Sequence, residues 1–418
     1  RHITRNTIGP LMISIITELR VASRNLKRTR SRTAVAVLTV ACGLMAYLLA
    51  GGFIEWIFHG MRETTIRSQL GHIQVVKPGY LEKGIADPYD FLLAPHSEEL
   101  LKIKQHPDVV SVAERLVFSG LASFGDTTVT FTGEGIDPQR EAVISDAIFL
   151  RSGNNLVSTD QRAIILGEGL AKNLGVKPGD SIILLATSAN GVPNAIEVNV
   201  SGIFYTSSKE FDDTALRLPI DLARKLMRVN GATLWVVLLE NTNLTKQVVA
   251  DLRATLPHAK LEVIPWSDLA DFYNKTVVLF GKQVSFMKMI IAMIIILTIS
   301  NIQTMSVLER TTEIGTMMAL GSRRASVLRM FIFEGLMIGV LGGLVGLAVG
   351  YGIAELVSTI GIPMPPPPGM EVGLTGQILV TTELALDALG LAFMTTLAAS
   401  VIPAWKASRL NIVDALRC

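Results

Sequence analysis

The chain has 418 residues, 49% hydrophobic and 18% charged, with a mean hydropathy of +0.44, which is too apolar for an ordinary soluble protein yet not apolar throughout. That mixture predicts a few membrane spans plus a sizeable water-exposed domain. A net charge of +2 says nothing about nucleic acid, no dense Lys/Arg stripe interleaves with aromatics, and no nucleic-acid partner is expected.

Residues 11–32 read as a basic amphipathic helix. Met12, Ile15, Ile16, Leu19, Ala22 and Leu26 recur at three- and four-residue steps, against Arg20, Arg24, Lys27 and Arg28 elsewhere. Such a helix lies in the headgroup layer, where each cation near anionic lipid adds about 1 kcal/mol. A signal peptide fits poorly, because its charged region is short and its apolar core ends at a small-residue cleavage site. The first span follows. Ala34–Ile54 is free of charge, and at about 1.5 Å per residue it covers a bilayer core of roughly 30 Å. Eight Lys/Arg residues precede it, which predicts a cytoplasmic start and an exit at about His59.

From residue 59 to about 280 the texture is that of a soluble domain. Strands are predicted at His72–Val76, Val109–Ala113, Thr127–Thr132, Ser181–Leu185, Glu197–Phe204, Leu234–Leu239 and Leu261–Ile264. Helices are predicted at Ser97–Gln105, Gly167–Leu174, Pro219–Met227 and Leu244–Thr255. Two stretches share one scheme of helix, Pro/His pair, then strand: Glu98–Val112 and Lys246–Ile264. They predict two helix–strand units packed as one α/β subdomain, with the middle, about 115–215, forming a β-rich second. Cys42 and Cys418 are placed too differently to build a disulfide framework, so burial alone must hold this domain. His59, His72, His96 and His106 have no ligand-like spacing and read as isolated surface histidines, with no metal site.

The second span covers about Met289 to Leu308. Lys275, Lys282 and Lys288 precede it at helical spacing, so the helix is expected to continue outward as a stalk. Next comes a short polar connection. Glu309, Arg310, Glu313, Arg323 and Arg324 keep it in water. Among them Ile314, Met317, Met318 and Leu320 fall at helical spacing, an apolar face expected to lie on lipid or in a groove of a partner. The third span, Val327–Ala354, holds Gly335, Gly339, Gly342, Gly346 and Gly350. The last three recur every four residues and allow a second helix to come close, within the subunit or from another subunit. Glu334 is expected near the cytoplasmic boundary, paired or facing protein, with Arg329 a candidate partner.

An outer loop with Pro363 and Pro365–Pro368 is stiff and extended and has no Lys or Arg. The fourth span, about Glu383 to Trp405, has Glu383 and Asp387 on one face of its outer end. They either reach the headgroup layer or line a watery mouth between subunits. Lys406, Arg409 and Arg417 again place the tail inside.

The string Glu309-Arg310-Thr311-Thr312-Glu313-Ile314-Gly315, followed by Met318-Ala319-Leu320-Gly321, resembles the coupling segment of the MacB/FtsX/Lol group of ABC transporter permeases. Glu334, Arg24-Asn25-Leu26, the external strings Leu166–Ala171 and Gly175–Asp180, and Pro403–Leu410 with Asp414–Arg417 match the same group. The resemblance implies an α-helical membrane protein with four transmembrane helices plus an extracytoplasmic α/β domain, MacB-like and periplasmic, with α/β and β-rich subdomains. The expected division is 1–33 elbow helix, 34–58 first span, 59–280 periplasmic domain and 281–308 stalk with second span. Then follow 309–325 coupling helix, 326–357 third span, 358–380 outer loop, 381–405 fourth span and 406–418 cytoplasmic tail.

The coupling residues implied are Glu309, Arg310, Glu313, Ile314, Gly315, Met317, Met318, Leu320, Gly321, Arg323 and Arg324, seated in an ATPase subunit. The chain contains no G-x-x-x-x-G-K-[ST], H-E-x-x-H or G-x-S-x-G, so it is read as a non-catalytic permease with no catalytic residue and no cofactor of its own. ATP and Mg are expected on the partner. Implied partners are an ABC ATPase dimer, a second permease subunit, a periplasmic carrier or adaptor, and lipid, at a bacterial inner membrane. The leading function is handling of lipoprotein or lipid. The alternatives are an FtsX-like transmitter regulating a cell-wall hydrolase, or a drug or peptide efflux permease.

Overall fold

The computed structural model describes residues 18, 20–84, 88–95, 97–158, 162–206, 208–365, 374–411 and 415. The expected elbow positions Met12, Ile15, Ile16 and Leu19 lie outside the described residues, as do His96, Pro366–Pro368, Asp414, Arg417 and Cys418. The chain divides into two compact units, Arg1–Ile57 with Val277–Pro363 and Thr375–Cys418, and Phe58–Thr276 with Met364–Leu374.

The first unit is helical, with α1 Arg30–Thr65 as far as Ile57, α2 Asp271–Glu309 from Val277 onward, α3 Thr311–Ala319, α4 Arg324–Ile360 and α5 Thr382–Ser408. Among the described residues four of these, α1, α2, α4 and α5, are long and apolar enough to cross a membrane. Their core forms where apolar residues return every three or four positions. Val40, Leu44 and Leu48 of α1 meet Ile291, Ile295 and Ile299 of α2, Ile338 of α4, and Ala388 and Ala392 of α5. The lysines before the second span do sit on one uninterrupted 39-residue helix, α2.

The second unit is an α/β domain. Its strands are β1 Ile73–Val76, β2 Val109–Phe124, β3 Thr127–Ile136, β4 Phe149–Gly153, β5 Ala163–Gly167, β6 Ser181–Thr187, β7 Pro193–Tyr205, β8 Ala215–Pro219, β9 Leu234–Leu239 and β10 Glu262–Pro265. They form one sheet in the order β10-β1-β9-β2-β3-β8-β5-β7-β4, with β6 beside β2 and β7. Two pairs are parallel, β3 with β8 and β5 with β7. The helices Glu98–Lys104 and Thr245–Thr255 lay Leu100, Ile103, Val248 and Leu252 on Ile73, Val75, Trp235 and Val237. A second core gathers Leu116, Phe118, Phe131, Leu166, Leu184, Val198 and Leu216, where Phe118 and Phe131 meet edge to face at 5.7 Å.

On the opposite face of β2, β3 and β8 from Leu116, Phe131 and Leu216 lies a charge cluster that the sequence did not announce. Arg115 on β2 and Arg217 on β8 are buried. Arg217 Nε donates to Glu134 Oε2 at 2.8 Å, and Arg115 Nε donates to Glu141 Oε2 at 3.2 Å. Arg217 also caps the Ser68 carbonyl at 3.1 Å. Burial alone would raise the Glu141 pKa, but the facing guanidiniums of Arg115 and Arg217 outweigh it and hold the carboxyl below its usual range.

His72 is not a surface histidine. It is 1% exposed, and both ring nitrogens are engaged. The Leu239 N–H donates to Nδ1 at 3.1 Å, which leaves the proton on Nε2, 3.0 Å from Thr242 Oγ1. Thr242 in turn donates to Glu63 at 2.8 Å.

Candidate coupling site

The connection between α2 and α4 is tight. Helix α3 begins one residue after α2 ends and closes at Gly321, whose φ of 99° is a left-handed conformation that glycine adopts without steric cost. Its inner face is committed within the chain. Ile314 and Met318 are buried against Val307, Val327, Met330, Phe331, Ala404 and Ala407. A Cβ on Gly315 would stand 2.7 Å from the Ala415 Cβ. The expectation that the whole apolar stripe stays free for lipid or a partner is therefore corrected at Ile314 and Met318. Those two side chains hold α3 onto α4 and α5. The outer face keeps Thr312, Glu313, Thr316, Leu320, Gly321, Arg323 and Arg324 exposed, with Leu320 84% accessible.

Ion pairs fasten the same turn to its neighbours. Glu309 takes both terminal nitrogens of Arg32. Glu313 accepts from Arg28 Nη1 at 2.7 Å and from Arg310 Nε at 3.3 Å. Its pKa is lowered, chiefly by the Arg28 hydrogen bond. Arg310 Nη1 donates to Glu334 at 3.0 Å, and its guanidinium lies 5.8 Å from the Phe331 ring centre. Asn25 Nδ2 gives Glu334 a second hydrogen bond at 2.6 Å. Arg329 is not the partner of Glu334, as the spacing had suggested. It reaches back to Glu18 with bonds of 3.0 and 2.8 Å. An α-helix turns about 100° per residue, so five residues separate Arg329 from Glu334 by well over a third of a turn.

The glycines of α4 resolve a choice that the sequence left open. Gly342, Gly346 and Gly350 face α1, and a Cβ on Gly346 would lie 2.8 Å from the Ala41 carbonyl oxygen. Gly335 and Gly339 face α5, at Ser400 and Thr396. All five serve packing inside the subunit.

At the other end of the bundle Asp387 accepts from Lys288 Nζ at 2.5 and 2.7 Å and from the Tyr47 hydroxyl at 2.5 Å. Asp387 thus ties α1, α2 and α5 together, whereas Glu383 is exposed in the first turn of α5. Among the described residues no group of three or more His, Cys, Asp or Glu could hold a metal ion.

Comparison with known proteins settles what this arrangement belongs to. The model for the MacB-like periplasmic core domain matches residues 33–255, more than half of the chain, and that for the FtsX-like permease C-terminal region matches residues 285–412. The chain belongs to the ABC transporter permeases of the MacB/FtsX/LolC type.

The permease is 27% identical over 345 residues to the lipoprotein-releasing system transmembrane protein LolC of Xylella fastidiosa, covering 75% of this chain and 81% of that protein. It is 24% identical over 433 residues to the uncharacterized ABC transporter permease YvrN of Bacillus subtilis, covering 96% and 100%. To the macrolide export ATP-binding/permease protein MacB of Syntrophobacter fumaroxidans it is 39% identical over 123 residues, 28% of this chain and 15% of that protein.

Among the site residues read from the sequence, the structure brings Arg310, Glu313 and Glu334 of the permease into one ionic group, with Glu309 in a separate pair with Arg32. Arg28, one of the cations expected near anionic lipid, joins that group at Glu313, and Arg32, at the end of the same expected helix, holds Glu309. Their signal in the sequence was faint: two arginines four apart, matching two glutamates four apart in a distant segment.

Proposed function

We propose that this permease transmits the nucleotide cycle of an ABC ATPase dimer to its external domain, and that a lipoprotein or lipid is the cargo so handled. The observation that carries the reading is the construction of the coupling turn. Its inner face is packed onto α4 and α5 and its charges pair with Arg28, Arg32 and Glu334, while Thr312, Thr316, Leu320 and Arg323 remain accessible. Force applied to the exposed side therefore passes directly into helices long enough to cross a bilayer. Helix α2 runs unbroken from Glu309 to Asp271.

These residues contribute no catalytic group in this reading. ATP is bound and hydrolysed by an ATPase outside them, and two permease subunits sit over its dimer in the inner membrane. The lipoprotein assignment is supported by the broad match to a protein named for lipoprotein release, set against the short local match to a macrolide exporter. The test is purification of the native complex, with its companion proteins and bound lipids identified by mass spectrometry. A co-purifying ATPase and an acylated protein or envelope lipid are expected. A cell-wall hydrolase in place of cargo would shift the assignment to signal transmission, and absence of any ATPase would overturn the coupling reading.

A further inference from the structure

The elbow segment carries two sets of cations with different fates. Arg28 and Arg32 are taken up by Glu313 and Glu309. Arg20, Arg24 and Lys27 are exposed and form no ion pair among the described residues. At steps of four and three they make one ridge. Ala22 and Leu26, on the far side of the same turns, are buried against the bundle.

The segment also bends. Thr33 Oγ1 donates to the Leu26 carbonyl, seven residues back, at 3.0 Å. In a straight helix a threonine hydroxyl reaches a carbonyl only three or four residues back, and seven residues span about 10 Å of axis. Around the bend at Thr29, Arg30 Nε supplies a further donor to the Lys27 carbonyl at 3.3 Å. The elbow therefore leaves the axis of α1 within a few residues of Ala34, where the uncharged stretch begins. Arg20, Arg24 and Lys27, with no ion pair among the described residues, thus stand on a helix that turns aside where the uncharged stretch begins, the depth at which lipid phosphates are expected. The elbow's other end is anchored too, since Glu18 holds Arg329 and accepts from Ser326 at 2.7 Å.

We propose that the Arg20–Arg24–Lys27 ridge binds the phosphate groups of acidic phospholipids, and that lipid held there fixes the elbow against the coupling turn through Arg28–Glu313 and Arg32–Glu309. The second half rests on the coupling reading above; the lipid contact itself does not. Each cation contributes about a fivefold preference for an acidic surface, and the contact weakens as salt shortens the Debye length.

The test uses the full chain with its ATPase in phosphatidylcholine nanodiscs carrying photoactivatable phosphatidylglycerol, with the cross-linked peptide mapped by mass spectrometry. Labelling of the elbow peptide is expected at least about fivefold above that from photoactivatable phosphatidylcholine. It should fall at least about fivefold in Arg20→Gln/Arg24→Gln/Lys27→Gln and return in Arg20→Lys/Arg24→Lys. Arg28→Gln should keep the label while abolishing the dependence of ATP hydrolysis on phosphatidylglycerol. Equal labelling by the two lipids, an unchanged glutamine variant, or displacement of the label by inorganic phosphate overturns the lipid site. A specific label with no effect of phosphatidylglycerol on hydrolysis overturns the link to the coupling turn and leaves the contact standing. A specific label on a complex that shows no nucleotide response at all sinks the coupling reading instead.

Discussion

Arg310 Nη1 and Glu334 Oε1 lie 3.0 Å apart, joining the residue that caps the coupling helix to a carboxylate ten residues into α4. The Glu334 side chain is 7% accessible and that of Arg310 15%, so neither ion is well solvated. Removing one partner of such a pair strands the other, which costs about 3–5 kcal/mol, whereas replacing both by apolar groups of similar volume is near neutral. Glu334→Leu is thus expected to lower the thermal stability of the purified protein severely. Arg310→Met/Glu334→Leu should recover most of the loss, and a double-mutant cycle in detergent measures the coupling. If the two single losses simply add, the pair is not the unit that holds the turn.

Helix α4 offers a contrast between glycines. A Cβ on Gly346 would lie 2.8 Å from the Ala41 carbonyl oxygen and 2.9 Å from its Cα, backbone atoms that cannot swing aside. A Cβ on Gly352 meets nothing within 4 Å. Gly346→Ala should therefore destabilise by about 1–3 kcal/mol through overpacking. Gly352→Ala should stabilise by up to about 1 kcal/mol through helix propensity alone. Thermal melts of the two variants in one detergent decide this. Equal effects would mean that α1 and α4 do not approach as closely as described.

Much of this architecture was legible in the residues, and the failures share a cause. The first two spans announce themselves by uncharged length, the third and fourth by apolar length despite Arg329, Glu334, Glu383 and Asp387, and β9 Leu234–Leu239 by an unbroken apolar run. Strand β8, Ala215–Pro219, was missed because Arg217 stands at its centre. A charged residue in a short apolar run reads as solvent-facing until its partner Glu134 on β3 is known, 83 positions away. The same holds for His72, where burial depends on Thr242 and the Leu239 amide. In the coupling site the helix and its apolar face could be read from period alone. Which side of that face is buried could not, because Phe331, Ala404 and Ala407 come from two other helices.

The external domain should lose stability in two steps as pH falls. Burial, opposed by Glu63 and assisted by Arg67 and Arg62, lowers His72 from 6.5 to about 4. Its neutral form is the one that accepts the Leu239 N–H, and protonating Nδ1 would set two donors against each other. A folded pKa below the unfolded value means that the unfolded chain takes up the proton first. The contribution of His72 is therefore complete above about 6.5 and is lost as pH falls toward about 4. Glu141, also depressed, contributes fully above the ordinary carboxylate value and fails only below it, as pH drops through its lowered folded pKa. The protection of the Leu239 amide against hydrogen exchange in the full chain, measured relative to the intrinsic rate at each pH, should fall from about pH 6 downward. His72→Gln should remove that first step and leave the acid limb. A profile flat to pH 4 in the parent protein would refute the tautomer assigned to His72.

The coupling helix itself separates residues that hold the fold from residues free to meet a partner. Ile314 is 1% exposed within a cluster of α4 and α5 side chains, and Ile314→Ala should cost about 2–5 kcal/mol of stability by the cavity it leaves. Leu320 has no such neighbours, and Leu320→Glu should change stability by less than about 0.5 kcal/mol. In a complex with the ATPase the order reverses. A carboxylate placed on the exposed tip should disturb a docked surface, so Leu320→Glu should uncouple ATP hydrolysis from movement of the external domain while the permease melts as the parent does. Measuring melting temperature and ATPase rate side by side for both variants distinguishes the two roles. A Leu320→Glu complex with unaltered hydrolysis and cargo handling would place the contact elsewhere on the turn, at Thr312, Thr316 or Arg323.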